Sequence, residues 1–121
     1  MAIKRRRITL TAVAGSASGD LGLGAKYGRV IRVEKLDTGA DNSSDVTIVD
    51  NSSRAIFSIA GIDFTSKKSY NLVTETNTTE DGTAADANEG VQNGILAESP
   101  LTVSVANAGT NVCVVDVFVE V

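Results

Sequence analysis

The chain has 121 residues, enough for one domain with a hydrophobic core, and a formal net charge of −4 that argues against a general nucleic-acid-binding protein. Histidine is absent and there is one cysteine, which excludes the commonest general base, the usual zinc ligand and an intrachain disulfide. Aromatic residues make up only 4% of the chain and tryptophan is absent, so little surface is available for stacking bases or sugars.

The first residues lack the features of a targeting segment. The charges at residues 4–7 are followed by an alternating stretch that breaks at Gly15, not by the long apolar run of a secretory signal. No apolar run approaches the roughly 18 to 20 residues of a membrane-spanning helix. These patterns predict a protein that is made in a cytoplasm and has no membrane partner.

The first predicted strand shows the period of a strand with one buried face. Arg5 and Arg7 alternate with Arg6, Ile8 and Leu10, and the last two are expected to point inward. A glycine-rich stretch at residues 15–24 follows, which we interpret as a flexible connection.

Similar alternation continues along the chain. The predicted strands cover residues 5–14, 27–36, 45–50, 54–60, 69–75, 94–98, 101–105 and 112–121. In the second of them, Val30 is expected on the side opposite Val33. Between the fifth and sixth strands, residues 76–93 contain almost nothing to bury, and a loop of this length in a compact domain is usually functional or disordered.

The last two predicted strands form what we expect to be a β-hairpin over residues 101–121. Asn107 and Gly109 in the intervening turn adopt positive φ at low cost. Alternate residues of the second arm form one apolar face, which consists of Cys113, Val115, Val117, Val119 and Val121. The cysteine is therefore expected to be a buried, inert thiol.

These elements predict an all-β fold. Eight short strands with frequent turn signals and almost no helical periodicity are typical of a sandwich. We expect a single antiparallel β-sandwich domain over residues 1–121, with jelly-roll-like connections and a long polar loop at residues 76–93.

Motifs for catalysis, metals or cofactors are not found. Gly22 and Gly24 lack the following helix and the Gly-Lys-Ser/Thr ending of a phosphate-binding loop. Without histidine the chain cannot form a nucleophile–histidine–acid triad, and its carboxylates lack the aromatic platforms of a glycosidase cleft.

The acidic loops lack EF-hand spacing, so solvated carboxylates are favoured over calcium ligands at Asp37, Asp41, Asp45, Glu80, Asp81 and Asp86. The sequence predicts a protein that is not an enzyme and has no cofactor or metal.

The most concentrated run of like charge in the sequence is basic and consists of Lys4, Arg5, Arg6 and Arg7. One interpretation is a hydrated edge strand on which positive charge discourages edge-to-edge pairing. The other is electrostatic contact with an acidic protein surface or, with less weight, with packaged nucleic acid. On the second interpretation these four residues are the candidate contact residues.

The order of strands and turns also resembles a known family over nearly the whole chain. The segments that carry the resemblance are residues 4–13, 28–34, 45–48, 56–61, 101–109 and 115–120. They resemble small proteins encoded in the head-gene region of tailed phages, including capsid decoration or cement proteins. The resemblance implies a β-sandwich that forms a homo-oligomer, with a trimer favoured over a dimer. It also implies that the major capsid protein is the partner and the capsid surface of the virion the location, after synthesis in the host cytoplasm.

Two hypotheses for function remain open. The first is a structural virion protein that binds the outer surface of a phage capsid and stabilises it. The alternative is a β-sandwich carbohydrate-binding or adhesion module, such as a head-fibre or receptor-recognition domain, and it is motivated by the polar loop at residues 76–93. Binding to capsid shells or to glycans distinguishes them.

Overall fold

The computed structural model describes residues 2–75 and 91–121. Every regular secondary-structure element in these ranges is a β-strand. The eleven strands are β1 (Ile3–Thr11), β2 (Ala17–Leu21), β3 (Tyr27–Lys35), β4 (Ala40–Val49), β5 (Ala55–Phe64), β6 (Lys68–Asn71), β7 (Val73–Glu75), β8 (Val91–Asn93), β9 (Ile95–Glu98), β10 (Leu101–Ala106) and β11 (Val112–Glu120).

The strands form two antiparallel sheets that pack together. Sheet I has the order β1-β11-β3-β6, and β9 pairs with the other end of β3. Sheet II has the order β2-β10-β4-β5, and β7 and β8 form a separate two-stranded ribbon. The predicted all-β sandwich is therefore confirmed.

The core lies between the inner faces of the two sheets and consists mostly of valine, leucine and isoleucine. β10 contributes Val103 and β11 contributes Val117, and both side chains are 0% exposed. β-Branched side chains suit these positions because they pack well on a pleated surface. Cys113 is also 0% exposed, as the alternation of β11 predicts, and burial raises the pKa of its thiol.

The predicted hairpin at residues 101–121 is wrong in its pairing, although both arms are strands. β10 pairs with β2 and β4 in sheet II, whereas β11 pairs with β1 and β3 in sheet I. The turn between them thus carries the chain from one sheet to the other. Each arm has a buried apolar face because both strands are central strands of their sheets.

The predicted flexible connection at residues 15–24 is also wrong, because β2 lies within it. Gly19 of this strand packs so closely on β1 that a Cβ there would lie 2.9 Å from Cδ1 of Ile8. Gly19 thus marks a close approach between the two sheets, and a larger residue there would displace the end of the Ile8 side chain.

A β-bulge in β3 changes which of its side chains are buried. Phe118 of β11 pairs with Arg32, but Val119 pairs with Val30, so Ile31 is an extra residue in β3. Val30 and Val33 consequently point to the same side and are both buried, which corrects the prediction that they lie on opposite sides. The bulge turns Ile31 out of the core.

Several predicted boundaries move. β4 begins at Ala40 and β5 continues to Phe64, so parts of residues 37–44 and 61–68, which lie between predicted strands, are strand. The predicted strand at residues 69–75 divides into β6 and β7. Most of the predicted loop at residues 76–93 lies outside the described residues, and its end forms β8.

Candidate functional site

The basic run of β1 is divided between the two faces of sheet I. Arg5 and Arg7 lie opposite Phe118 and Asp116 and point outward, whereas Lys4 and Arg6 lie opposite the buried valines of β11. The four candidate contact residues therefore do not form one patch. The alternation of side chains along a strand already predicts that Arg5 and Arg7 lie on the face opposite Lys4 and Arg6.

Arg6 packs at the rim of the sandwich. Its guanidinium lies against Gly24, which has a φ of +84°. A Cβ on Gly24 would clash with Nη2 of Arg6 and would lie 3.9 Å from Nζ of Lys4. Nε of Arg6 is buried without a hydrogen-bond partner among the described residues. Arg6 thus fills a gap at the rim, and it does not extend freely into solvent.

Arg7 forms a two-point ion pair across the outer face of sheet I. Its Nε donates to Oδ1 of Asp116 at 2.8 Å and its Nη2 donates to Oδ2 at 2.9 Å. Nε of Arg5 lies 4.0 Å from the same carboxylate, whose side chain is 3% exposed. The hydrogen bond to Asp116, followed by its charge, raises the pKa of Arg7. This geometry makes Arg7 a structural residue as well as a charged one.

A second buried carboxylate, Glu34, lies beside Asp116 in the register of the sheet. Oγ of Ser69 donates a short hydrogen bond to its Oε2. Nε of Arg32 and Nζ of Lys67 each approach a Glu34 carboxylate oxygen to 3.7 Å. The Glu34 side chain is only 8% exposed, so the two cations lie between it and solvent.

The outer face of sheet I consequently presents positive charge. We call it the cationic face, and it consists of Arg5, Arg7, Arg32 and Lys67 above the two buried carboxylates Glu34 and Asp116. Side-chain exposures are 58%, 45%, 40% and 64% for the four cations, against 8% and 3% for the carboxylates. On a chain of net charge −4 this face is a local positive region.

A groove of about 560 Å³ lies at one end of the cationic face. Its apolar lining consists of Ile3 at the start of β1, Ile31 in the bulge of β3, Leu72 directly after β6, and Phe118 on the outer side of β11. Arg32 also lines the groove, and its guanidinium stacks on the Phe118 ring at 4.1 Å from the ring centroid. Arginine and aromatic side chains with this exposure are typical of protein interfaces.

Sequence reasoning missed Arg32, Glu34, Lys67, Asp116 and Phe118 as parts of this face. A signal was present for one of them, because Asp116 is an isolated carboxylate in a run of valines. Arg32 and Glu34 lie two residues apart on β3, but they become neighbours of Lys67, Asp116 and Phe118 only through the pairing of β3 with β6 and β11.

Two of the carboxylates that the sequence offered as weak calcium candidates, Asp37 and Asp45, accept hydrogen bonds from the protein itself. Oδ1 of Asp37 accepts from Gly39 N, and the carboxylate of Asp45 accepts from Gly61 N and Asn107 Nδ2. Glu80, Asp81 and Asp86 lie outside the described residues. In the part of the chain that the structure describes, no group of three acidic, histidine or cysteine side chains could hold a metal ion.

Asp50 is a buried carboxylate with a structural role. Its Oδ1 accepts from Ser52 N, Ser52 Oγ and Arg54 N at 2.8–3.1 Å, and its Oδ2 accepts from Glu98 N at 3.1 Å. Burial by itself would raise the pKa of this carboxyl, but the four hydrogen bonds outweigh it and hold the pKa below the ordinary value. Asp50 thereby joins the β4–β5 turn to β9.

Replacing Asp50 with asparagine is expected to lower the free energy of unfolding by about 1–3 kcal/mol at pH 7, because the donors lose a charged acceptor. The folded-state pKa is lower than the unfolded value, so this stabilisation is complete above the ordinary value of 3.8 and is lost as the pH falls through the folded-state pKa. Urea denaturation between pH 7 and pH 2.5 measures the difference between wild type and D50N. A difference that stays constant over this range would contradict the assignment.

Comparisons with known proteins add little to this geometry. No protein-family model and no curated protein matches the chain. Within residues 2–75 and 91–121 there is no helix that could cross a membrane. Among solved structures, the crystal structure of the infectious bursal disease virus VP2 subviral particle is similar at 17% identity and a TM-score of 0.26, over 99% of this chain and 41% of that chain. The chain thus spans less than half of that VP2 chain, and a similarity this weak supports no statement about function.

Proposed function

We propose that the protein is a structural virion component that binds the outer surface of a phage capsid and stabilises it, with the major capsid protein as its partner. The observation that carries the proposal is the cationic face, where exposed cations overlie buried carboxylates on an otherwise acidic chain. Such a face favours an acidic protein surface through charge complementarity. The family resemblance supplies the identity of that partner.

The arrangement of the cationic face suits repeated attachment. Two hydrogen bonds to the buried Asp116 position Arg7 before a partner binds, and the other three cations lie within 4.0 Å of a buried carboxylate. Exposed ion pairs contribute little individually, but a homo-oligomer on a shell with many identical sites combines several contacts into lasting attachment. A trimer is the oligomer we favour, with a dimer as the other possibility.

Co-sedimentation with expanded shells of the major capsid protein encoded beside this chain tests the proposal. We expect saturable binding at a fixed copy ratio, weaker at 0.5 M than at 0.05 M NaCl because salt screens the contacts. Absence of binding at both salt concentrations would overturn the proposal. Binding to a glycan array in that case would favour the carbohydrate-binding or adhesion alternative.

Neighbouring residues of β1 provide a matched pair of variants. Arg5→Ser removes an exposed cation from the cationic face, whereas Lys4→Ser removes the same charge from the opposite face of the same strand. We expect R5S to weaken shell binding about two- to fivefold at low salt, and K4S to change it by less. Equal effects of the two variants would show that net charge, and not this face, controls attachment.

A further inference from the structure

We infer that the groove beside Arg32 receives one bulky apolar side chain of an acidic partner surface, next to a partner carboxylate that pairs with Arg32. This inference rests on the proposed function and adds the chemistry of the partner segment. It concerns the groove lined by Ile3, Ile31, Leu72 and Phe118, at the end of the cationic face.

The groove is built into the sheet. Phe118 and Val119 of β11 pair with Arg32 and Val30, so the bulge between these pairs places Ile31 on the outer side. Bulges of this type often lie beside functional sites because they redirect a single side chain. Leu72 N donates to Ile31 O at 3.0 Å, which holds the end of β6 against the bulge.

The lining favours an apolar occupant. Ile3 is 61% exposed, the largest exposed fraction for an isoleucine, leucine or aromatic side chain in the described residues. It stands at the groove mouth with Phe118 and Ile31, both of which are partly exposed. A depression of about 560 Å³ lies within the size range of ordinary binding pockets, and four of its seven described lining residues are apolar. An apolar side chain placed against Ile3, Ile31 and Phe118 removes part of their exposed surface from water.

Arg32 is the residue that pairs with the partner carboxylate. Its guanidinium is held in place by the Phe118 ring at 4.1 Å, and its only described ion pair is the 3.7 Å approach to Glu34, which Lys67 and Ser69 also contact. Its Nε is buried and has no hydrogen-bond partner in the described part of the chain. The Arg32 side chain as a whole is 40% exposed, so the terminal guanidinium nitrogens, and not the buried Nε, are the groups that would pair with a planar anion.

Glu120 restricts where the partner carboxylate lies in the groove. It lines the same groove as Arg32, and a partner carboxylate beside it would be repelled. The partner carboxylate is therefore expected at the Arg32 side of the groove.

The outer face of sheet II serves as a control surface. Ser18, Ser104, Thr47 and Ser58 lie in one row across its four strands, and this row offers hydroxyl groups without charge. Thr47 is exposed at the middle of this row, as Asn71 is exposed in the groove.

Protection of engineered cysteines from maleimide labelling tests the inference. The native thiol of Cys113 is 0% exposed, so the added cysteine of N71C or T47C is the accessible one. Shell binding should slow labelling of N71C about tenfold or more and leave T47C labelling unchanged. Labelling of N71C at the same rate in free and bound protein would overturn the inference.

A pair of apolar variants gives an independent readout. Ile3→Ser is expected to weaken shell binding about fivefold, because the side chain at the groove mouth no longer contacts the occupant. Val112→Ser changes an exposed apolar residue at the opposite end of β11 and should alter binding by less than about twofold. Equal binding by I3S and wild type would contradict an apolar occupant.

The two proposals fail in different ways. Wild-type protein that does not bind shells overturns the proposed function and this inference together. Wild-type protein that binds shells, with unprotected N71C and unaffected I3S, overturns the inference and leaves the proposed function in place. Protection of T47C in place of N71C would assign the contact to sheet II.

Discussion

Replacing Val103 with aspartate is expected to unfold the protein at room temperature. Val103 is 0% exposed in β10, where Gly19 and Ile48 are its neighbours on the adjacent strands. None of these neighbours can pair with a carboxylate. An uncompensated buried charge costs about 3–5 kcal/mol, which is comparable with the whole free energy of unfolding of a small domain.

Circular dichroism during thermal denaturation measures this effect, and two further aspartate variants provide controls. Ser104→Asp changes the next residue of β10, which points to the outer face of sheet II, and should leave a cooperative transition near that of wild type. Val117→Asp should be milder than V103D, because Val117 lies opposite Arg6, whose Nε lacks a partner among the described residues. Cooperative melting of V103D at the wild-type temperature would show that the facing of β10 is wrong.

Replacing Arg7 with alanine is expected to destabilise the protein clearly more than replacing Arg5, although both side chains are about half exposed. Arg7 holds both oxygens of the buried Asp116 carboxylate, whereas Arg5 only approaches one of them at 4.0 Å. R7A leaves a buried carboxylate without its principal partner. Removal of one member of such a pair is costly even where the pair itself adds little net stability.

A double-mutant cycle tests this assignment by urea denaturation. Asp116→Val should restore most of the stability lost in R7A, because it removes the unpaired carboxylate and supplies a β-branched residue suited to a strand. Equal denaturation midpoints for R7A and R5A would contradict the structural role of Arg7.

The result also bears on function, because a variant that destabilises sheet I does not separate loss of folding from loss of partner binding. Arg5 is the better probe for that reason.

The candidate face was only partly predictable. Consecutive cations at the start of the chain are visible in the sequence, and strand alternation already separates Arg5 and Arg7 from Lys4 and Arg6. The arrangement of the carboxylates was not predictable, because Asp116 lies beside Arg7 only when β11 pairs with β1, and beside Glu34 only when β11 pairs with β3. The groove depends in addition on a bulge that places Ile31 outward.

The sequence by itself determined that the chain forms strands and which side chains of several strands are buried. Valine-rich alternation at residues 101–105 and 112–121 disfavours a helix, and the buried faces of β10 and β11 follow from it directly. These properties are local, since side chains alternate along a strand with a period of two residues wherever no bulge interrupts it, as one does in β3.

Only the tertiary structure decided which strands pair. β10 and β11 are adjacent in sequence and suited to a hairpin, yet they belong to different sheets because each has two better-placed neighbours. Backbone hydrogen bonds are the same for every antiparallel pair, so alternation carries no information on the identity of the partner. Close packing across the whole core selects the pairing.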